Sequence, residues 1–254
     1  MYDAVSNTQQ PNFSDSLVII PTYNEKENIE AIIRAVFALE KNFDVLIVDD
    51  NSPDGTAQIV AKLQDEFSGR LFIENRKEKQ GLGIAYIHGF RWALQKKYDY
   101  IIEMDADFSH NPADLPRLYN ACKNEGADLA VGSRYANGIS VVNWDIKRIL
   151  LSYFASKYVR MITRIPVHDT TAGFVCYSEK VLRTIDLDQI RFVGYAFQIE
   201  MKFKAWKHGF RIREVSVIFT DRIRGKSKMS GSIIREALLG VIQMKIKGLP
   251  KKKA

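Results

Sequence analysis

The run "MDADFSH" at residues 104–110 sets two carboxylates, Asp105 and Asp107, one residue apart behind an apolar stretch. On a strand leaving a sheet, positions i and i+2 point to the same side, so each charge raises the cost of the other unless a cation sits between them. A hard divalent ion such as Mg2+ or Mn2+ takes oxygen ligands and is held by one or two carboxylates plus substrate phosphates. The pair reads as a metal half-site that a nucleotide diphosphate completes, the ion cancelling charge on the diphosphate as it leaves. Asp-x-Asp alone is a common solvated turn; its position after a buried strand gives it weight.

Three further runs carry candidate chemistry. In "VDDNSPDGT" (residues 48–56), Asp50 stands at a strand end where it can accept hydrogen bonds from nucleobase N–H groups, while Asp54 belongs to the turn that starts the next helix. "TDRIRGKSKMS" (220–230) gathers Arg222, Arg224, Lys226 and Lys228 around a glycine, as a loop closing over phosphates or a solvated charged face would. "KQGLGIA" (79–85) matches neither GxGxxG nor a P-loop, and its glycines read as admitting a helix close to the sheet. Cys122 and Cys176 have no CxxC spacing, which suits a reducing setting better than zinc or a disulfide framework. The four histidines, His88, His110, His168 and His208, are scattered and read mostly as structural or surface groups.

These residues need elements to hold them. "LVIIPTY", "DVLIVDD", "RLFIEN", "YDYIIEMDAD" and "ADLAVGSR" read as strands, separated by amphipathic runs that read as helices, the first capped by Asn24. Such alternation predicts an α/β fold with a mostly parallel central sheet flanked by helices, and ligands then gather beyond the carboxyl ends of the strands. Further along, "VVNWDIKRILLSYFASKYVRMITRI" predicts a long helix and "TTAGFVCYS" a strand. "YAFQIEMKFKAWKHG" predicts a helix ended by Gly209, and "RIREVSVIFT" a strand with period-2 alternation.

At 254 residues, 46% hydrophobic and 26% charged, the chain supports one sizeable domain. The expected organisation is a polar leader over 1–15, the α/β domain over 16–231, and an amphipathic basic helix over 232–254. Net charge is +7, and residues 222–254 hold ten Lys or Arg against one Glu, so the basicity belongs to the C-terminal end. No uncharged apolar run reaches the ~18 residues needed to span a bilayer. The N-terminus lacks the basic start and apolar core of a signal peptide, so a cytoplasmic location is expected. Residues 232–249 place Ile234, Leu238, Val241 and Ile242 near one helical face, a face that either docks on a membrane surface or packs on the domain. A nucleic-acid binder is disfavoured, because no recognised binding module accompanies the charge.

"VIIPTYNE", "IVDDNSPDGT", "MDADFSHNP", "VGSRY", the "NW...R...S" run, "DTTAGF" and "DRIRGKSK" occur in an order that resembles the polyprenyl (dolichyl) phosphate mannosyltransferases of glycosyltransferase family 2, over residues 16–235. The resemblance implies a GT-A (Rossmann-like) fold, GDP-mannose as donor, Mg2+ or Mn2+ as cofactor, and inverting transfer to a polyprenyl or dolichyl phosphate. It also implies peripheral association with the cytoplasmic face of a membrane. By the same resemblance Pro21, Tyr23, Glu25, Val48 and Asp50 match nucleoside contacts, and Asp105, Ala106 and Asp107 the metal and diphosphate motif. Arg134, Arg148, Arg222 and Lys228 match positions holding donor phosphates, sugar or acceptor phosphate, and Ser152 an acceptor-phosphate position. Ser109 stands where many relatives carry Gln, which puts a direct metal ligand there in doubt. The rival readings are a UDP-glucose-dependent transferase acting on the same lipid and an inactive nucleotide-binding scaffold.

Overall fold

A computed structural model describes residues 14–221 and 231–248. The chain runs β1 (Ser16–Thr22), α1 (Ile29–Phe37), β2 (Asp44–Asp49), α2 (Thr56–Glu66), β3 (Leu71–Asn75) and α3 (Leu82–Gln95). It continues through β4 (Tyr100–Glu103), α4 (Leu115–Lys123), β5 (Leu129–Ser133), a short β6 (Val141–Val142) and the long α5 (Ile146–Thr163). Then come β7 (Val175–Ser178), α6 (Glu179–Thr184), α7 (Tyr195–Lys207), β8 (Ile212–Ser216), β9 (Phe219–Thr220) and α8 (Gly231–Lys247).

Seven strands form one sheet in the order β3-β2-β1-β4-β7-β5-β8, and β6 pairs with β9 in a separate ribbon. Both faces of the sheet are covered, which is why β1 and β2 are nearly unbroken apolar runs. Leu17, Ile19, Leu46 and Val48 face the layer that contains Phe90 and Phe197, while Val18, Ile20, Val45 and Ile47 face the layer of Ile32 and Leu118. β7 is antiparallel to both β4 and β5, and the other paired neighbours are parallel. Two reversals cancel, so the carboxyl ends of β1, β2, β4 and β5 share one edge.

Local structure departs from the sequence reading at several points. α1 begins at Ile29 with Asn28 at its cap, not at Asn24. Asn24 is left-handed (φ 58°), and the N–H groups of Asn28 and Ile29 both reach Glu25 O, so residues 24–28 form a turn. "TTAGFVCYS" is strand only over Val175–Ser178. "RIREVSVIFT" divides into β8 and β9: Val217 N donates to Ser133 O, then Phe219 N donates to Ser140 O, so the chain leaves the large sheet for the ribbon. A Cβ on Gly83 would meet Phe197 of α7 at 2.8 Å, so this glycine admits a helix; the helix-to-sheet approach is made by Gly89, opposite Ile19 of β1 at 2.8 Å. Gly209 does end α7, in a left-handed conformation (φ 81°).

α8 packs on the domain. Val241 and Met244 are buried, Gly240 abuts Phe192, and Tyr158 Oη donates to Leu238 O at 3.0 Å. Leu238 and Ile242 remain exposed, so Val241 parts from the face on which the sequence had grouped all three. The side chain of Ile234, residues 1–13 of the expected 1–15 leader and the final Lys run lie outside the described residues.

Candidate active site

β4 delivers the two carboxylates, and the turn behind it aims them. Asp107 Oδ1 accepts from Ser109 N at 3.1 Å, and Phe108 between them is left-handed (φ 61°), an outlying conformation for a bulky residue and one that the turn imposes. Asp105 N donates to His110 Nδ1 at 3.1 Å, so the neutral imidazole carries its proton on Nε2, which lies 4.0 Å from Asp105 Oδ2. His110 is buried, stacks on Phe174, and is pushed down in pKa by burial. The sequence reading grouped this residue with scattered structural or surface histidines, although it stands three positions from Asp107. Ser109 is buried beside the pair and lines the same cavity, and Ala106 is enclosed by the core.

The residues fit a divalent cation. Asp105 opens onto the cavity with its side chain 37% exposed, and Asp107 follows at the turn, giving an oxygen donor set suited to Mg2+ or Mn2+. Among the described residues no group of three or more His, Cys, Asp or Glu could hold a metal.

β5 ends at Arg134, and the loop before β7 locks it. Arg134 Nε and Nη2 each reach an oxygen of Asp169 at 2.6 Å, Arg134 N donates to the same carboxylate, and Nη2 also reaches Thr171 Oγ1. The rings of Tyr135, Trp144 and Phe219 stand 5.4–5.5 Å from the guanidinium. Burial alone would raise the Asp169 carboxyl, but the Arg134 guanidinium holds it below its ordinary value. Asp169 was absent from the sequence-derived site, although "DTTAGF" contains it.

α5 supplies Arg148 and Ser152, one turn apart and both on the cavity wall. Arg148 lies 4.2 Å from the Trp144 ring centre and is paired with Asp221 at 2.6 Å. At the other end of the crevice, Tyr23 follows β1, with Lys79 Nζ over its ring at 4.6 Å. Pro21, next to last in β1, stands opposite Val48, and Glu25 accepts from Asn28 Nδ2. Val48 has no exposed surface, and Asp50 just beyond β2 is also buried. Asp50 pairs with Arg76 at 2.7 Å; burial raises its pKa and Arg76 opposes that shift. Asp49 instead accepts from Thr22 Oγ1 and Ser52, and Asp54 from Thr56, so both are turn residues. Arg222 and Lys228 lie outside the described residues.

Asp105, His110, Arg134, Arg148 and Ser152 converge on one cavity of about 210 Å3. Its far wall is apolar, built from Leu151, Ala155, Val159, Ile199 and Leu238. Behind it, Gln198 Nε2 donates to buried Glu103 at 2.7 Å, and buried Lys202 reaches Ala172 O at 2.6 Å. Burial raises Glu103 to about 8, against the pull of Lys202 and Gln198, and lowers Lys202 to about 8.

The chain matches the family model described as glycosyl transferase family 2 over residues 17–186. It is 45% identical over 233 residues to a polyprenol monophosphomannose synthase of Mycolicibacterium smegmatis, covering 92% of this chain and 88% of the relative. It is 44% identical over 225 residues to an undecaprenyl-phosphate mannosyltransferase of Micrococcus luteus, covering 89% and 91%. In fold it is similar to a mannosyltransferase of Pyrobaculum calidifontis solved with GDP-Man and Mn2+, with a TM-score of 0.62 at 17% identity, over 94% of this chain and 66% of that one. A mostly parallel sheet between helices, with its functional groups at the strand ends, is the GT-A architecture, and the chain belongs to glycosyltransferase family 2.

Proposed function

We propose that the protein transfers mannose from GDP-mannose to a polyprenyl or dolichyl monophosphate, with inversion at the sugar C1, at the cytoplasmic face of a membrane. One observation carries this reading: the cavity is charged at the strand ends and apolar between α5 and α8. Such a shape suits a phosphate on a hydrocarbon chain. The names of the two curated relatives point to the same class of acceptor.

Asp105 and Asp107 would hold Mg2+ or Mn2+, which when bound neutralises charge on the departing diphosphate. Tyr23, Glu25 and Asp50 would take the nucleoside, and Arg134 the donor phosphates. Arg148 and Ser152 would orient the acceptor phosphate, while Arg222 and Lys228 keep their expected phosphate roles. A phosphate oxygen forms the new bond to C1 as the C1–O bond to the diphosphate breaks, and the electron pair departs with GDP. No proton moves, so no general base is needed.

The cavity wall agrees with that. His110 Nδ1 already accepts a backbone N–H, Tyr158 donates to Leu238 O, and Arg134 and Arg148 are cations. Once the cation engages Asp105, none of these groups is placed to deprotonate a hydroxyl, whereas a lipid phosphate arrives already ionised. The remaining work is to bring two anions together in line.

The test is incubation of purified protein with labelled GDP-mannose, a polyprenyl phosphate and Mg2+ or Mn2+, beside Asp107→Ala and beside UDP-glucose. Labelled lipid is expected from wild type with GDP-mannose alone, reduced at least a hundredfold in the variant, about the size of losing one preorganised electrostatic contact. Equal output from variant and wild type would remove the metal role, and transfer from UDP-glucose would replace the donor.

A further inference from the structure

The two arginines that line the cavity among the described residues are held in different ways. Arg134 is locked to Asp169, which has no exposed surface and is fixed by Glu214 Oε1 accepting from its backbone N–H. Arg148 is held by Asp221, with the two side chains 27% and 28% exposed. Asp221 is placed for this by the ribbon, its own N–H donating to Val142 O just after β9. The first pair is part of the core. The second stands where an entering anion would meet it.

Resting on the reading that an anionic acceptor lies against Arg148, we propose that Asp221 is an internal competitor for that subsite, so that only a ligand able to displace a tethered carboxylate binds. A phosphate monoester carries close to two negative charges at neutral pH and three acceptor oxygens, and it outcompetes the carboxylate on the guanidinium fork. A free carboxylate only exchanges like for like, against a partner whose tether gives it a high effective concentration. A neutral hydroxyl has no charge with which to displace it. Asp221 thereby restricts the acceptor to phosphate esters, a task Arg148 alone would perform less strictly. The cost is affinity, since the subsite is open only in the fraction of molecules whose ion pair has parted.

The test is calorimetric titration of the full chain with a short-chain prenyl monophosphate and with the prenyl carboxylate of equal length. Wild type is expected to bind the monophosphate and not the carboxylate; equal affinity for both overturns the proposal without any variant. In Asp221→Asn, matched to wild type in thermal melting, monophosphate affinity is expected to rise on the order of tenfold, as for a subsite otherwise open about one time in ten, and carboxylate binding to appear. Arg148→Gln is expected to abolish both. Unchanged or weaker monophosphate binding in Asp221→Asn, with loss in Arg148→Gln, overturns the competitor and leaves the acceptor subsite standing. Undiminished binding in Arg148→Gln overturns both.

Discussion

Arg134 and Asp169 act as one unit, and removing half of it exposes the physics of the other half. A buried guanidinium that loses its carboxylate keeps its desolvation cost and forfeits the attraction that offset it. Asp169→Asn is expected to lower unfolding free energy by about 3–5 kcal/mol, read from urea denaturation at neutral pH. Its pH dependence has a definite sign. The folded-state pKa of Asp169 lies below its ordinary value, so its contribution is complete above about pH 4 and is lost as pH falls through the lower, folded value. Wild type should therefore destabilise more steeply than the variant on acidification below about pH 4, and parallel curves would show that the pair contributes nothing. The sequence made Asp105, Asp107 and Asp50 legible because each stands at the end of an apolar run. It did not reveal the Arg134–Asp169 and Asp50–Arg76 pairs, which close over 35 and 26 residues. Residue type says which groups could pair; only the fold says which do.

At the scale of elements, α3 owes its position to what it lacks. Gly89 lies mid-helix, where glycine costs about 1 kcal/mol against alanine, and the loss is offset by the approach of the helix to Ile19. Gly89→Val would drive a branched side chain into a wall 2.8 Å away and is expected to cost about 1–3 kcal/mol in thermal or denaturant unfolding. Gly173, where a Cβ would meet nothing nearer than 3.7 Å and the backbone is not left-handed, is the substitution control for crowding. The regular βαβ half was legible because long amphipathic runs separate short buried ones. The antiparallel direction of β7 was not, since four residues, three apolar and a serine, carry no record of which way a strand runs. Nor was the break between β8 and β9: strand-favouring apolar residues run on through Val217, Ile218 and Phe219 while the hydrogen bonds change partner.

Taken whole, the molecule wears its exposed apolar surface on one region. Six of the exposed large apolar side chains among the described residues lie on α5 and four on α8, and Ile139, Val142 and Ile218 flank the β6–β9 ribbon that leads into α5. α5 carries Lys147, Arg148, Lys157 and Arg160 and no acid. An apolar face bordered by cations matches the interface of an anionic bilayer, where each basic residue near the surface contributes about 1 kcal/mol. No helix among the described residues is long and apolar enough to cross a membrane. Under the proposed function, this exposed apolar face is the one expected to dock on the bilayer that holds the acceptor. Deleting residues 232–254 would be a poor test, because it strips Val241 and Met244 from the core together with the exposed residues. Phe154→Glu combined with Ile246→Glu alters two side chains that are 56% and 78% exposed and off the cavity wall. Burial of such side chains contributes about 1.5–3 kcal/mol each, so the double variant should lose at least tenfold in sedimentation with anionic vesicles. Its titration with GDP-mannose should be unchanged. Vesicle binding equal to wild type would move the docking surface elsewhere, whereas loss that occurs equally with neutral vesicles would assign the attraction to apolar burial and leave the cations of α5 for the acceptor phosphate.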